Sequence, residues 1–286
     1  MAATPVIGLE IPAFGGSAAL SAATLGATRI ELNAEGSYGE GGLTPSIEDL
    51  KQFISTSSKR CPLRVMIRPR GPPSVSSSIE AGGVGKRDFH YNDEEFEIME
   101  ANIKGFKNSG LLNANKGDGF VFGILEEDGI EERGDYIRGR RCWVDKTRCT
   151  RLVQAAQPFK CVFHRAFDEI VSCDAPASDE STPLSWETGL EVIGACGFDG
   201  ILTSGGLGKA IDNLETLERV IRKAKILQIE IIVGGGVRTA NVGEISRRLG
   251  LRERAGSVYL HSACLRGNSG DDINPEEVQG ILAQLR

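Results

Sequence analysis

The sequence predicts an α/β fold of the (β/α)8 TIM-type barrel kind, a single domain over residues 1–286. Three observations carry this. Eight short β-rich runs recur along the chain, amphipathic segments with apolar residues every three or four positions lie between them, and polar residues gather where the runs end. Near-continuous apolar strands joined by helical crossovers require a parallel sheet, and this many units in a chain of this length match a closed ring. A doubly wound open sheet is the rival. A ring, however, aims every strand end at one shared mouth.

The elements follow in order. VIGLEIPAF (6–14) and RIELN (29–33) are the first two strands and carry Glu10 and Glu31 toward their ends. SIEDLKQFISTSSK (46–59) is the amphipathic segment that leads to LRVMIRP (63–69). There Arg68 and Arg70 flank a proline that cannot continue a ladder, which leaves two guanidinium groups at the rim. Their planar forks suit a carboxylate or phosphate, with pairing to Glu10 or Glu31 as the competing reading. DEEFEIMEANIKGFKNSG (93–110) then connects to the fourth strand, GFVFGIL (119–125).

The fifth strand, KCVFHRAF (160–167), sets an imidazole and a guanidinium inside an apolar run. His164 alternates with Val162 and so faces the interior at the strand top, while Arg165 begins the rim and Asp168 stands close enough to orient either cation. GILTSGG (200–206) and EIIVGGGV (230–237), separated by the helical NLETLERVIRKAKIL, put small residues at consecutive strand ends. Thr203, Ser204, Gly205, Gly235 and Gly236 are therefore candidate anion-binding positions, where backbone amides approach a phosphate-like ligand closely. After ANVGEISRRLG, the strand SVYLHSA (257–263) closes the ring and brings His261 beside Glu10. Glu10, Glu31, His164 and His261 are candidates for acid–base work or for ligating a divalent metal.

Three insertions break the rhythm near 71–87, 126–142 and 172–186, each after a strand end, where barrel proteins keep lids and docking loops. The formal charge of −6 and pI near 5.3 argue against a nucleic-acid backbone binder, which needs a basic surface. No apolar run reaches the roughly 20 residues that span a bilayer, and the N-terminus lacks the basic-then-apolar pattern of a signal peptide. The seven cysteines form no CxxC pair and their odd number suits reduced thiols, so a cytoplasmic location without a membrane partner is expected.

RIELN, EGGLTPS, VMIRPRG, DFHYNDEEFEIM, GFVFGILEEDG, VFHRAFD, ILTSGG, VGGGV and the histidine of YLHSA stand in an order that resembles the CutC copper homeostasis family, from about residue 6 to residue 264. The resemblance implies a cytosolic (β/α)8 barrel that self-associates as a dimer or tetramer, a link to copper tolerance and a weak copper(I) site. It implies copper ligands at the ends of the first two strands, where many relatives carry cysteine. Here the matching positions are Pro12 and Asn33, and neither offers the soft sulfur that copper(I) prefers. Cys264, three residues past His261, is the remaining thiol near the mouth, which makes His261 and Cys264 the candidate copper ligands. The second expectation is a barrel enzyme, its reaction left open, acting on a small anionic or phosphorylated substrate. Arg68, Arg70, Arg165 and the glycine-rich amides would hold the anion, and the Glu and His residues would move protons.

Overall fold

A computed structural model of the chain describes residues 7–55, 60–73, 88–127, 141–173, 184–266 and 271–285. Its strands are β1 (Gly8–Phe14), β2 (Arg29–Asn33), β3 (Leu63–Met66), β4 (Gly119–Phe122), β5 (Leu125–Glu127), β6 (Cys142–Val144), β7 (Lys160–Phe163), β8 (Gly200–Thr203), β9 (Glu230–Val233) and β10 (Val258–His261). All but β5 and β6 form a closed parallel barrel in the order β1–β2–β3–β4–β7–β8–β9–β10, the last strand pairing back onto the first. The (β/α)8 expectation holds, and each of the eight runs read as a strand supplies one.

Period-two alternation sorts the side chains into two apolar clusters. Residues such as Leu9, Ile11, Ile30, Val65, Phe120, Phe163, Ile231 and Leu260 point outward and make the large core beneath the helices. Met66, Val121, Val162, Leu202 and Ile232 point inward and fill the lumen as a smaller cluster, with Tyr259 against it. On the β1–β2 side the inward positions are polar instead: Glu10, Arg29, Glu31 and Asn33 are all buried.

The covering helices among the described residues are α1 (Gly16–Leu25), α2 (Ile47–Ser55), α3 (Asp93–Asn108), α4 (Lys146–Ala156), α5 (Ala166–Ser172), α6 (Ser185–Cys196), α7 (Leu214–Leu227), α8 (Val242–Arg248) and α9 (Pro275–Leu285). Local chemistry sets where they start. Asn92 caps α3 by accepting the Glu95 amide at 2.8 Å, and the Glu95 carboxylate accepts the Asn92 amide in return at 2.9 Å. Asp145 caps α4 through the Arg148 amide at 2.9 Å.

The charged insertion near 126–142 follows the end of β4, as expected, and its ends carry secondary structure. Its flanks pair as the antiparallel hairpin β5–β6, with Leu125 opposite Val144. Residues 128–140 within it, 74–87 of the first insertion and 174–183 of the third lie outside the described residues.

Candidate functional site at the barrel mouth

Ring closure assembles the central cluster. Glu10 is registered against His261 of β10 on one side and Arg29 of β2 on the other, joining residues 251 and 19 positions apart in the chain. Nδ1 of His261 donates to Glu10 Oε1 at 2.8 Å, and the Arg29 guanidinium donates to Glu10 Oε2 and, at 2.8 Å, to Glu230 Oε1. Arg29 also lies 3.8 Å over the ring of Tyr259. Glu31 is 4% exposed, and its Oε1 accepts from Asn33 Nδ2 at 3.1 Å while its Oε2 has no hydrogen-bond partner. Ligand atoms of Glu10, Glu31 and His261 lie within 4.8 Å of one another.

These neighbours set the protonation states. Burial works to raise the Glu10 carboxyl but is outweighed by Arg29 and His261, so it is held well below its ordinary value. Burial raises Glu31, against the opposing charge of His261. His261 is pushed down by burial and up by its bond to Glu10 and by the Glu31 charge, and the upward effects win. A carboxyl held below its ordinary value thus sits beside an imidazole and a second carboxyl that are both raised above theirs. A cation placed there would compete with protons for His261 and Glu31.

Above the cluster opens a cavity of about 510 Å³, lined on its inner side by Glu31, Met66 and His261. Glu10 lies behind that wall, inside β1 with four strand residues still to follow. The expectation of Glu10 at a strand end is therefore corrected: the shear of the ring places its mid-strand position opposite the end of β10. His164 lines the same cavity but stays apart from the carboxylates. Its ring lies tilted against Phe89 with centroids 4.7 Å apart, its Nδ1 accepts from the Ala166 amide at 3.3 Å, and burial together with Arg68 lowers it to about 3. It is a neutral wall residue at physiological pH.

The candidate anion positions divide. Arg68 lines the cavity but is held by Asp88, its Nη2 donating at 2.9 Å to each carboxylate oxygen, and by the Gly42 carbonyl at 3.0 Å. Neither glutamate of the first two strands is its partner. Arg70 lies off the cavity, where its Nε donates to Glu95 Oε1 of α3 at 2.7 Å, because the chain has turned outward past Pro69. Thr203, Ser204 and Gly205 gather around an internal carboxylate. Asp168 Oδ1 accepts from Thr203 Oγ1 at 2.5 Å and from the Ser204 amide at 3.0 Å, while the Gly205 amide donates to Thr203 Oγ1 at 2.9 Å. Asp168 Oδ2 also accepts from Arg165 Nε at 2.7 Å. Arg165, Gly235 and Gly236 do face the cavity, with the Arg165 side chain 41% exposed.

Cys264 does not join His261. Its backbone turns through φ 50°, the thiol packs into the outer core and donates to Ser262 Oγ at 3.4 Å, and burial pushes it up to about 11. Ser262 and Ala263 line the mouth instead. The sequence reading missed Arg29, Asp88 and Arg238. Arg29 shares the inward alternation of Glu31 and Asn33, and Asp88 opens the DFHYN motif, so both had a signal; Arg238 follows VGGGV with none.

Fold and site together define a (β/α)8 barrel whose mouth is built around a buried carboxylate–imidazole cluster. The chain belongs to the CutC family, whose model matches residues 9–260. It is 33% identical over 235 residues to the copper homeostasis protein cutC homolog of Homo sapiens, covering 82% of this chain and 67% of that protein. A CutC family protein of Mesorhizobium japonicum is 31% identical over 90% of this chain and 78% of its own length. The crystal structure of a putative copper homeostasis protein CutC from Streptococcus agalactiae superposes with a TM-score of 0.61 at 25% identity, over 89% of this chain and 98% of that one. A 3-dehydroquinate dehydratase from Geobacillus kaustophilus, at 12% identity and TM-score 0.52 over 98% of this chain and 91% of that one, shares the fold alone.

Proposed function

We propose that this CutC-family barrel takes part in copper homeostasis by binding a copper ion at its mouth, through the imidazole of His261 and the carboxylate of Glu31. The observation that carries the reading is Glu31 Oε2: an oxygen buried without a partner, on a cavity wall, with His261 and Glu10 donors within 4.8 Å. Leaving such an atom unpaired is costly, and a cation removes the cost. Glu10 bonds the inner ring nitrogen of His261 and so orients the outer one, the arrangement typical of metal-ligating histidines. Nitrogen and oxygen donors suit copper(II), which leads the divalent series in affinity. Copper(I) fits the mouth less well. The one sulfur among the described cavity-lining residues is the Met66 thioether.

The test is titration with copper(II), followed by electron paramagnetic resonance and equilibrium dialysis. One ion per chain is expected, with nitrogen coupling in the spectrum. Loss of that coupling in His261→Ala and weaker binding in Glu31→Gln support the site, and unchanged binding in both refutes it. Affinity should rise with pH as His261 and Glu31 lose their protons, since both are raised and the metal competes with those protons.

Arg165 and Arg238, beside Gly235 and Gly236, support a second reading in which a small anion enters the same cavity. It has less support, because Asp88 holds Arg68 and Asp168 occupies the Ser204 amide. No helix among the described residues is long and apolar enough to cross a membrane. Cytoplasmic residence and a homo-oligomeric state complete the proposal, the latter to be read by sedimentation.

A further inference from the structure

Away from the mouth cluster, two insertions that the copper reading leaves unused meet at a pair of cysteines. Cys142 opens β6 and Cys173 follows the last residue of α5, and their sulfurs lie 3.3 Å apart although 31 residues separate them. Cys142 is buried, Cys173 is half-buried, and both are reduced. A disulfide needs a sulfur–sulfur distance of about 2.05 Å, so roughly an ångström of side-chain rotation separates this contact from a covalent bond.

The remaining thiols are differently placed. Cys149, Cys161 and Cys196 point to backbone carbonyls at 3.7, 3.8 and 3.7 Å, Cys264 points to Ser262, and burial raises all four as it raises Cys61. A buried thiol held in its protonated form is a poor nucleophile. Among the described residues, only Cys142 and Cys173 have a second sulfur within contact distance.

We propose that Cys142 and Cys173 form a reversible intramolecular disulfide by exchange with a low-molecular-weight disulfide. The thiolate of the more exposed Cys173 attacks one sulfur of the small disulfide, whose S–S bond breaks and releases one small thiol. The thiolate of Cys142 then attacks Cys173 Sγ, closing the protein disulfide and releasing the second small thiol. The protein loses two protons and two electrons, and the small disulfide gains them; excess thiol reverses both steps.

The bond would connect the hairpin to α5, which already packs against β6. α5 carries Asp168 near its start, the carboxylate that gathers Arg165, Thr203 and Ser204. Near its end, Ser172 Oγ accepts the Leu207 amide at 2.9 Å. Oxidation would therefore fasten the helix on which this side of the rim is built. The proposal does not depend on copper binding at the mouth.

The full chain is incubated with oxidised glutathione, quenched in acid, and analysed by thiol counting under denaturing conditions and by mass spectrometry. Expected are a fall from seven titratable thiols to five, a mass lower by two hydrogens, and a peptide linking Cys142 to Cys173 that dithiothreitol separates. In Cys142→Ser the reaction should stop at a glutathione adduct on Cys173. Cys173→Ser, altered at the half-buried position, provides a second variant should the buried one not fold, and should lose the cross-link. Seven thiols remaining, a persistent glutathione adduct on the unaltered chain, or a cross-link to any other cysteine overturns the proposal.

Discussion

At the scale of single residues, Glu10 is the side chain on which most depends. At 1% exposure it satisfies both Arg29 and His261. Removing one member of a buried ion pair leaves the other uncompensated, a loss of roughly 3–5 kcal/mol. Glu10→Gln is expected to lower urea-denaturation stability by about that much, and nuclear magnetic resonance should show the His261 imidazole titrating at lower pH. The pH dependence has a definite sign. His261 is raised above its ordinary 6.5 in the folded chain, so its contribution to stability is complete below 6.5 and disappears as pH rises through the folded value. Glu10 is lowered, so its contribution is present at neutral pH and disappears on acidification. An unfolding free energy that increases steadily from pH 6 to pH 9 would contradict the assignment of His261.

At the scale of elements, α5 and the loop after β8 are held together by Asp168, a carboxylate 1% exposed. In many barrels this side of the mouth offers free amides to a phosphate. Here the chain fills that role with its own anion, which explains why glycines and hydroxyl residues at 203–205 read as a ligand site in the sequence. Asp168→Asn removes the charge that accepts from Arg165 Nε, Thr203 Oγ1 and both the amide and the hydroxyl of Ser204, and hydrogen bonds to a charged group are each worth about 1.5–3 kcal/mol. The expected result is a loss of roughly 3 kcal/mol, with faster hydrogen exchange at the Ser204 amide. Unchanged exchange at that amide would show that the loop is held by other contacts. The glycine-rich pattern indicated a turn near an anion, but the anion proved to be 36 residues upstream in the same chain.

At the scale of the whole molecule, closure depends on close strand contacts as much as on apolar area. A Cβ at Gly119 would come within 2.1 Å of the Lys160 carbonyl oxygen, in the seam between β4 and β7. That atom is backbone, so it cannot swing aside. Gly119→Ala is expected to lower stability by about 1–3 kcal/mol, the usual cost of overpacking. A variant as stable as the parent in urea would show that the seam is looser than its contacts imply.

The sequence by itself determined the class of fold and the inward side of Val162 and His164, because alternation with periods of two and near four depends only on neighbours along the chain. It also placed His261, Glu31 and His164 on one mouth, since each stands toward the end of a strand and a ring aims those ends at one opening. Ring closure also put His261 beside Glu10 and Asp168 within reach of Arg165, as the structure has them. Most other polar partners were decided by the tertiary structure: Arg29 takes Glu10, Asp88 takes Arg68, Asp168 takes the Ser204 amide, and Cys142 meets Cys173, each through ring shear, loop return or helix docking. A charge or a sulfur has no period. Its partner is set by the register in which distant segments close, and that register is a property of the assembled ring.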